Sequence, residues 1–196
     1  MDERTATVQR QTNETDVRAR VALEGGGVSV ATGIPFFDHM LDQLGRHSRI
    51  GLELKASGDL DVDAHHTVED VGIALGEALA EALGDKRGIR RYGDALVPME
   101  EALAQVALDI SGRALLVYEV ELPAESVGQY DTGLTEEFLM ALVRAAGLTV
   151  HVRLLAAKNA HHAVEAIFKG VARALGDAME MDARARGSIP STKGRL

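Results

Sequence analysis

The chain switches between two hydrophobic periods, and it does so twice. IGLELKA at 50–56 and LTVHVRLL at 148–155 alternate apolar and polar positions, which predicts a strand in each case. Segments with helical spacing precede them, FDHMLDQL at 37–44 and EEFLMAL at 136–142. Longer helical stripes follow them. The first carries Val68, Val71, Leu75 and Leu79, and the second Val164, Ile167, Val171 and Leu175. Steps of three and four put each set on one helix face, and such stripes are read as core. Earlier in each half, VALE at 21–24 and VALD at 106–109 read as matching strand segments. Each half is therefore strands, a short helix, a strand and a longer helix. A repeat of this length implies duplication around a shared core rather than a solenoid. The expected halves are residues 1–92 and 93–196, forming one compact domain, with the hinge near Gly88 to Pro98.

The polar residues at the start of the longer helices repeat too. Residues 63–69 read DAHHTVE and residues 159–165 read NAHHAVE. His65, His66, His161 and His162 are four of the seven histidines, and each pair is followed by a carboxylate, Glu69 or Glu165. Asp63 and Asn159 are expected N-caps, which places the pairs in the first helical turn. The partial positive charge there disfavours imidazolium, so these histidines are expected to be neutral and ready for a metal. Glu69 can share an ion with either neighbouring histidine, but adjacent histidines diverge by about 100° around a helix. One histidine of each pair therefore points to a second site. His39, in FFDHM, is a further candidate ligand, and Glu137 occupies the matching position in the second half. Glu137 is either a ligand or a solvated helix residue. With no cysteine in the chain, the donors are nitrogen and oxygen, which favours Mn, Fe, Co, Ni or Zn over Ca.

Composition narrows the class. Hydrophobic residues make up 46% of the 196, enough for a core, while aromatics are only 4%, so Ala, Val, Leu and Ile build it. The net charge of −9 argues against a nucleic-acid binder, which needs a basic face. An anionic small substrate stays compatible with local clusters of Arg and Lys. The charged MDERTATVQR start has no apolar stretch of a secretory signal, and no window approaches the ~18 apolar residues of a membrane span, so a soluble cytoplasmic protein is expected.

Several cations lie near the metal motifs in sequence. Arg91 in RRYGD and Arg113 in DISGR sit beside glycines in expected turns, and Lys169 follows His161 by two helical turns. The tail, GSIPSTKGRL at 187–196, is aperiodic, and its Ser191, Thr192 and Lys193 suit a phosphate. It also reads as an ordinary polar tail. Glu14, in QTNETDV, is either a general base or an exposed strand residue.

Taken together, GIPFFDHMLDQLGRH, DAHHTVEDVGIALGEAL, LDISGR, YDTGLTEEF, LTVHVR, NAHHAVEAIFK and IPSTKG resemble the imidazoleglycerol-phosphate dehydratase family of histidine biosynthesis over nearly the whole chain. The resemblance is to the stand-alone form rather than to one fused to a phosphatase. It implies an α+β, internally duplicated two-layer fold of the ribosomal protein S5 domain 2-like kind, each half a four-stranded sheet packed on helices. It also implies a large homo-oligomer of cubic symmetry, a 24-mer, with two Mn ions per active site at subunit contacts. One ion would take His39, His66, Glu69 and His162. The other would take His65, His161, Glu165 and the residue at Glu137, a position where the family often has His. The implied substrate contacts are Glu14, His47, Arg91, Arg113, Lys169, Ser191 and Lys193, with Thr192 beside them. His39, His65, His66, Glu69 and His161 border the same substrate.

The implied reaction converts imidazole glycerol phosphate to imidazole acetol phosphate and water. The hydrogen removed lies on a carbon with no adjacent carbonyl, so it is barely acidic. Metal at both ring nitrogens can stabilise an imidazolate whose electron release expels hydroxide, after which a base takes the neighbouring proton. Glu14 is the first candidate for that transfer, with Glu69 and Glu165 behind it. A dinuclear metal phosphohydrolase is the first alternative and would release inorganic phosphate. A metal-storage or metal-assembled protein is the second, and it gives no reason for the cations.

Overall fold

The computed structural model describes residues 4–185, 187–194 and 196; residues 1–3 of the charged N-terminal segment, Arg186 and, in the polar tail, Arg195 lie outside the described residues. The first half runs β1 (Thr5–Gln11), β2 (Thr15–Ala22), β3 (Val28–Ala31), α1 (Pro35–Ser48), β4 (Gly51–Gly58) and α2 (His65–Leu83). The second runs β5 (Tyr92–Met99), β6 (Ala102–Asp109), β7 (Leu115–Glu119), a small hairpin of β8 (Ser126–Val127) and β9 (Tyr130–Asp131), α3 (Leu134–Ala146), β10 (Thr149–Ala156) and α4 (Ala160–Met179). The sheet orders match, β1-β2-β4-β3 and β5-β6-β10-β7, and in each the last pair is parallel while the others are antiparallel. The fold is α+β and duplicated.

Local chemistry sets the element ends. Pro35 opens α1, where its missing N–H and fixed φ cost nothing. α1 ends at Arg49 and α3 at Gly147, both in the left-handed conformation at φ 63 and φ 66. Along β2 and β6 buried and exposed residues alternate, so one face of each sheet points inward.

The register corrects one sequence match. Ala22 lies opposite Gly51, and Asp109 lies opposite Thr149. Gly51 and Thr149 are equivalent, each two residues past its helix's left-handed cap. Asp109 therefore corresponds to Ala22, and VALD corresponds to residues 19–22 rather than to VALE at 21–24. A slip of two residues keeps every side chain on the same face, so the hydrophobic pattern could not detect it.

Each sheet carries its own helices on one face, and the helices of the two halves pack on each other around one continuous apolar core. Glycine makes the seam. A Cβ on Gly72 would lie 2.8 Å from the Ala141 Cβ, and one on Gly76 would lie 2.7 Å from the Ala145 Cβ. Contacts advance together along α2 and α3, so these helices run parallel. α1 and α4 do the same, with His39 beside Glu165 near their starts and Ser48 against Gly176 near their ends. β4 and β10 return the chain between helices, so all four helix N-termini share one end of the molecule. The β1–β2 and β5–β6 turns lie there as well, because Thr15 pairs with Gly58 and Leu103 with Ala156. The helix C-termini, Tyr92, Asp109 and the tail occupy the other end. Among the described residues, no helix is long and apolar enough to cross a membrane.

Candidate active site

Both histidine pairs stand in the first turn of their helices. Asn159 is the N-cap of α4, its side chain accepting the His161 N–H at 2.9 Å. In the first half Ala64, not Asp63, is the cap residue, yet the Asp63 carboxylate accepts the His65 N–H at 2.8 Å. The same contact is made from just outside the helix.

The densest cluster joins α1 and α4. His39, His161 and Glu165 bring one ring nitrogen each and a carboxylate oxygen within 4.8 Å of one another. The His161 Nε2 lies 3.1 Å and the His39 Nε2 3.3 Å from Glu165 Oε2. Glu165 is only 5% exposed, and its other oxygen meets Lys169 Nζ at 2.7 Å. Burial alone would push its carboxyl up, but the Lys169 hydrogen bond and charge, with His39, reverse that and hold it below the usual range. Phe36 presents its ring at 71° to His161, 5.1 Å between centroids, which limits the rotation of that imidazole. Two imidazoles and a carboxylate without sulfur fit a hard or borderline divalent ion.

Two further groups form at the same end. The His66 Nδ1 faces Asp59 Oδ2 at 3.0 Å and Glu14 Oε2 at 3.7 Å. His162 Nδ1 faces Glu101 Oε2 at 2.9 Å. At His66 the Asp59 hydrogen bond raises the pKa against desolvation, opposing the helix terminus that favours the neutral ring. A carboxylate in contact outweighs a fractional dipole charge. His65 borders a pocket of about 900 Å³ that also contains His39 and Phe36, and its ring centroid is 6.1 Å from that of His66. Within one chain, His39 thus joins His161 and Glu165 rather than His66, Glu69 and His162. Glu69 and Glu137 are half-buried on α2 and α3 and belong to neither cluster.

The cations divide between the two ends. Lys169 stays with Glu165. Arg91 and Arg113 lie at the other end, where Arg91, 12% exposed, grips Asp109 through Nε at 2.7 Å and Nη2 at 3.0 Å. Its Nη1 donates to the Pro190 carbonyl at 2.7 Å, which ties the tail beside Ser191, Thr192 and Lys193. Arg91 is therefore committed to structure on both sides, whereas Arg113 is 67% exposed. Ser191 Oγ accepts the Lys193 N–H at 3.2 Å in a tight turn, so this polar segment is held in place. His47 is exposed near the end of α1 and borders a cleft of about 440 Å³ with Arg49 and Arg173. Partial burial, then the charges of Lys169 and Arg173, lower its pKa.

Sequence reasoning passed over Glu101, Asp59 and Asp109. Glu101 precedes β6 as Glu14 precedes β2, and the two are equivalents in the duplication. The two-residue slip between VALE and VALD hid that match. Read in the true register, a second copy of an already suspected glutamate would have been the signal.

Comparison with known proteins converges on one family. The family model for imidazoleglycerol-phosphate dehydratase matches residues 32–175. Proteins of that name from Nitrobacter hamburgensis and Dinoroseobacter shibae are 56% and 57% identical over 194 residues, covering 98% of this chain and 98% and 100% of theirs. The crystal structure of the Staphylococcus aureus imidazoleglycerol-phosphate dehydratase superposes with a TM-score of 0.83 at 40% identity, covering 90% of this chain and 99% of that one.

Proposed function

The chain belongs to the imidazoleglycerol-phosphate dehydratase family, an enzyme family of histidine biosynthesis, and we propose that it dehydrates imidazole glycerol phosphate with two Mn ions held by its histidine pairs. The observation that carries this reading is the convergence of His39, His161 and Glu165 from two helices of different halves. Duplication supplies the remaining donors, His65, His66, His162 and Glu69, with Glu137 as the acidic counterpart of His39. Held by these residues, the ions would supply Lewis-acid polarisation of the substrate's imidazole ring.

The protein groups divide the rest of the work. Glu165 is held ionised by Lys169, which suits a ligand and counts against a proton carrier. Glu14 is 55% exposed and, among the described residues, pairs with no Lys or Arg, so it is the carboxylate that takes the proton from the barely acidic carbon. Water leaves, the enol relaxes to the ketone, and the phosphate stays attached. Arg113, Lys193, Ser191 and Thr192 hold that phosphate and fix the substrate's orientation. Arg91 acts through the tail it secures, by way of the Pro190 carbonyl.

One chain does not suffice. Strands of eight residues separate the histidine end from the phosphate end, about 26 Å at ~3.3 Å per residue. No small phosphate ester spans that distance. The phosphate group of one copy therefore serves the histidines of another, which supports a closed homo-oligomer such as the family's 24-mer. Cytoplasm is the proposed location.

The test is a turnover assay on protein stripped by a chelator and then reloaded with Mn. We expect Mn-dependent appearance of the ketone with no free phosphate. Release of inorganic phosphate would make the protein a phosphohydrolase instead.

A further inference from the structure

The Glu101 carboxylate occupies the turn between β5 and β6 and touches three groups of the facing segment. Its Oε1 accepts the backbone N–H of Lys158 at 3.2 Å and of Asn159 at 2.8 Å. Its Oε2 faces His162 Nδ1 at 2.9 Å. The two oxygens are thus assigned by the backbone: one is pinned by main-chain donors, and the other is left for the imidazole. An ionised carboxylate only accepts, so the ring nitrogen in front of it must carry the proton.

We propose that Glu101 is a positioning residue that locks His162 as its Nδ1–H tautomer and so presents a bare Nε2 to metal. A neutral imidazole has one protonated and one free nitrogen, and metal needs the free one. A carboxylate behind a metal-bound histidine fixes ring orientation and tautomer together and raises the basicity of the ligand nitrogen. The first half does the same job from another place. Asp59, which follows β4, meets His66 Nδ1 at 3.0 Å, and in the second half the register past the β10 bulge puts Lys158, not a carboxylate, at the equivalent position. The orienting carboxylate has therefore moved from one connection to another between the halves. That shift leaves Glu14, the counterpart of Glu101, 3.7 Å from His66 and free for other chemistry.

This inference rests on the metal reading above, and the test separates the two. Mn²⁺ binding is titrated into stripped protein for the unaltered chain, Glu101→Gln and Glu101→Ala, with a melting curve for each. In Glu101→Gln the amide oxygen keeps the Lys158 and Asn159 bonds, so the NH₂ must face His162. That group donates, so it inverts the tautomer and puts hydrogen on Nε2. Glu101→Ala loses the backbone bonds but lets water restore the binding tautomer. We expect Glu101→Gln to bind Mn about 10–100-fold more weakly, below Glu101→Ala, while melting closer to the unaltered protein than Glu101→Ala does. Asp59→Asn repeats the test at His66. Equal Mn affinity for Glu101→Gln and the unaltered chain overturns the proposal. So does the reverse order, with Glu101→Ala the weaker binder, because that order means only a structural role. No Mn binding by the unaltered chain removes the metal reading, and this inference with it.

Discussion

Glu14 and Glu165 show how environment suits two carboxylates to different work. Glu165 is enclosed with Lys169, His39 and His161, and its charge is fixed. Glu14 sits in an open turn and keeps access to solvent. Replacing Glu14 with Gln should lower turnover by about 10²–10⁴-fold, the usual worth of a general base, with Mn content unchanged. Turnover within a few fold of normal would remove Glu14 from the mechanism. His47 provides a pH prediction. Partial burial lowers its pKa below the ordinary 6.5, with Lys169 and Arg173 adding to the shift and Glu165 opposing it. The folded state therefore binds fewer protons than the unfolded chain, and this contribution to stability is fully present above about pH 6.5. It fades as pH falls through the folded value. Unfolding midpoints measured between pH 5 and 7.5 should drop more steeply for the unaltered protein than for His47→Gln. Parallel curves would show that His47 contributes nothing to the acid side.

At the scale of elements, the strands and helices were legible because each half repeats a strand period and a helix period in the same order. FDHMLDQL and EEFLMAL lie inside α1 and α3, and the apolar stripes of α2 and α4 are buried as read. The histidine pairs were legible for the same reason, since duplication marks residues that packing alone would not repeat. Partners across the chain were not. Which carboxylate stands behind His66 or His162 depends on how the turns approach the helix ends, and local period says nothing about that. The α2–α3 seam was also invisible, because Gly72 and Gly76 lie beside the stripe of Val68, Val71, Leu75 and Leu79 and read as gaps in it. They are the reason the halves pack so closely. Changing both to Ala would gain about 1 kcal/mol each in helix propensity. The added methyls would meet α3 at 2.8 and 2.7 Å, as well as its carbonyls, and such overpacking costs about 1–3 kcal/mol per site. The double variant should melt several degrees lower. A higher melting temperature would mean that the seam has room and that the close packing of α2 on α3 is not required.

For the whole molecule, the parallel arrangement of four helices concentrates His39, the histidine pairs and both hairpin carboxylates at one end and leaves Arg113 and the tail at the other. A chain built this way presents two half-sites facing away from each other. On the proposed reading, it becomes an enzyme only when the phosphate end of one copy meets the histidine end of the next. Complementation between two defective chains tests this most directly. Glu14→Gln disables the histidine end and Arg113→Ala the phosphate end, and neither change touches the core. Each variant alone should be nearly inactive. Co-expressed under separate tags and purified through both, the mixed particles should regain a substantial part of the dehydratase activity, because some sites then combine an intact Glu14 from one copy with an intact Arg113 from another. Mixed particles no more active than either variant alone would contradict the account and return the whole active site to a single chain.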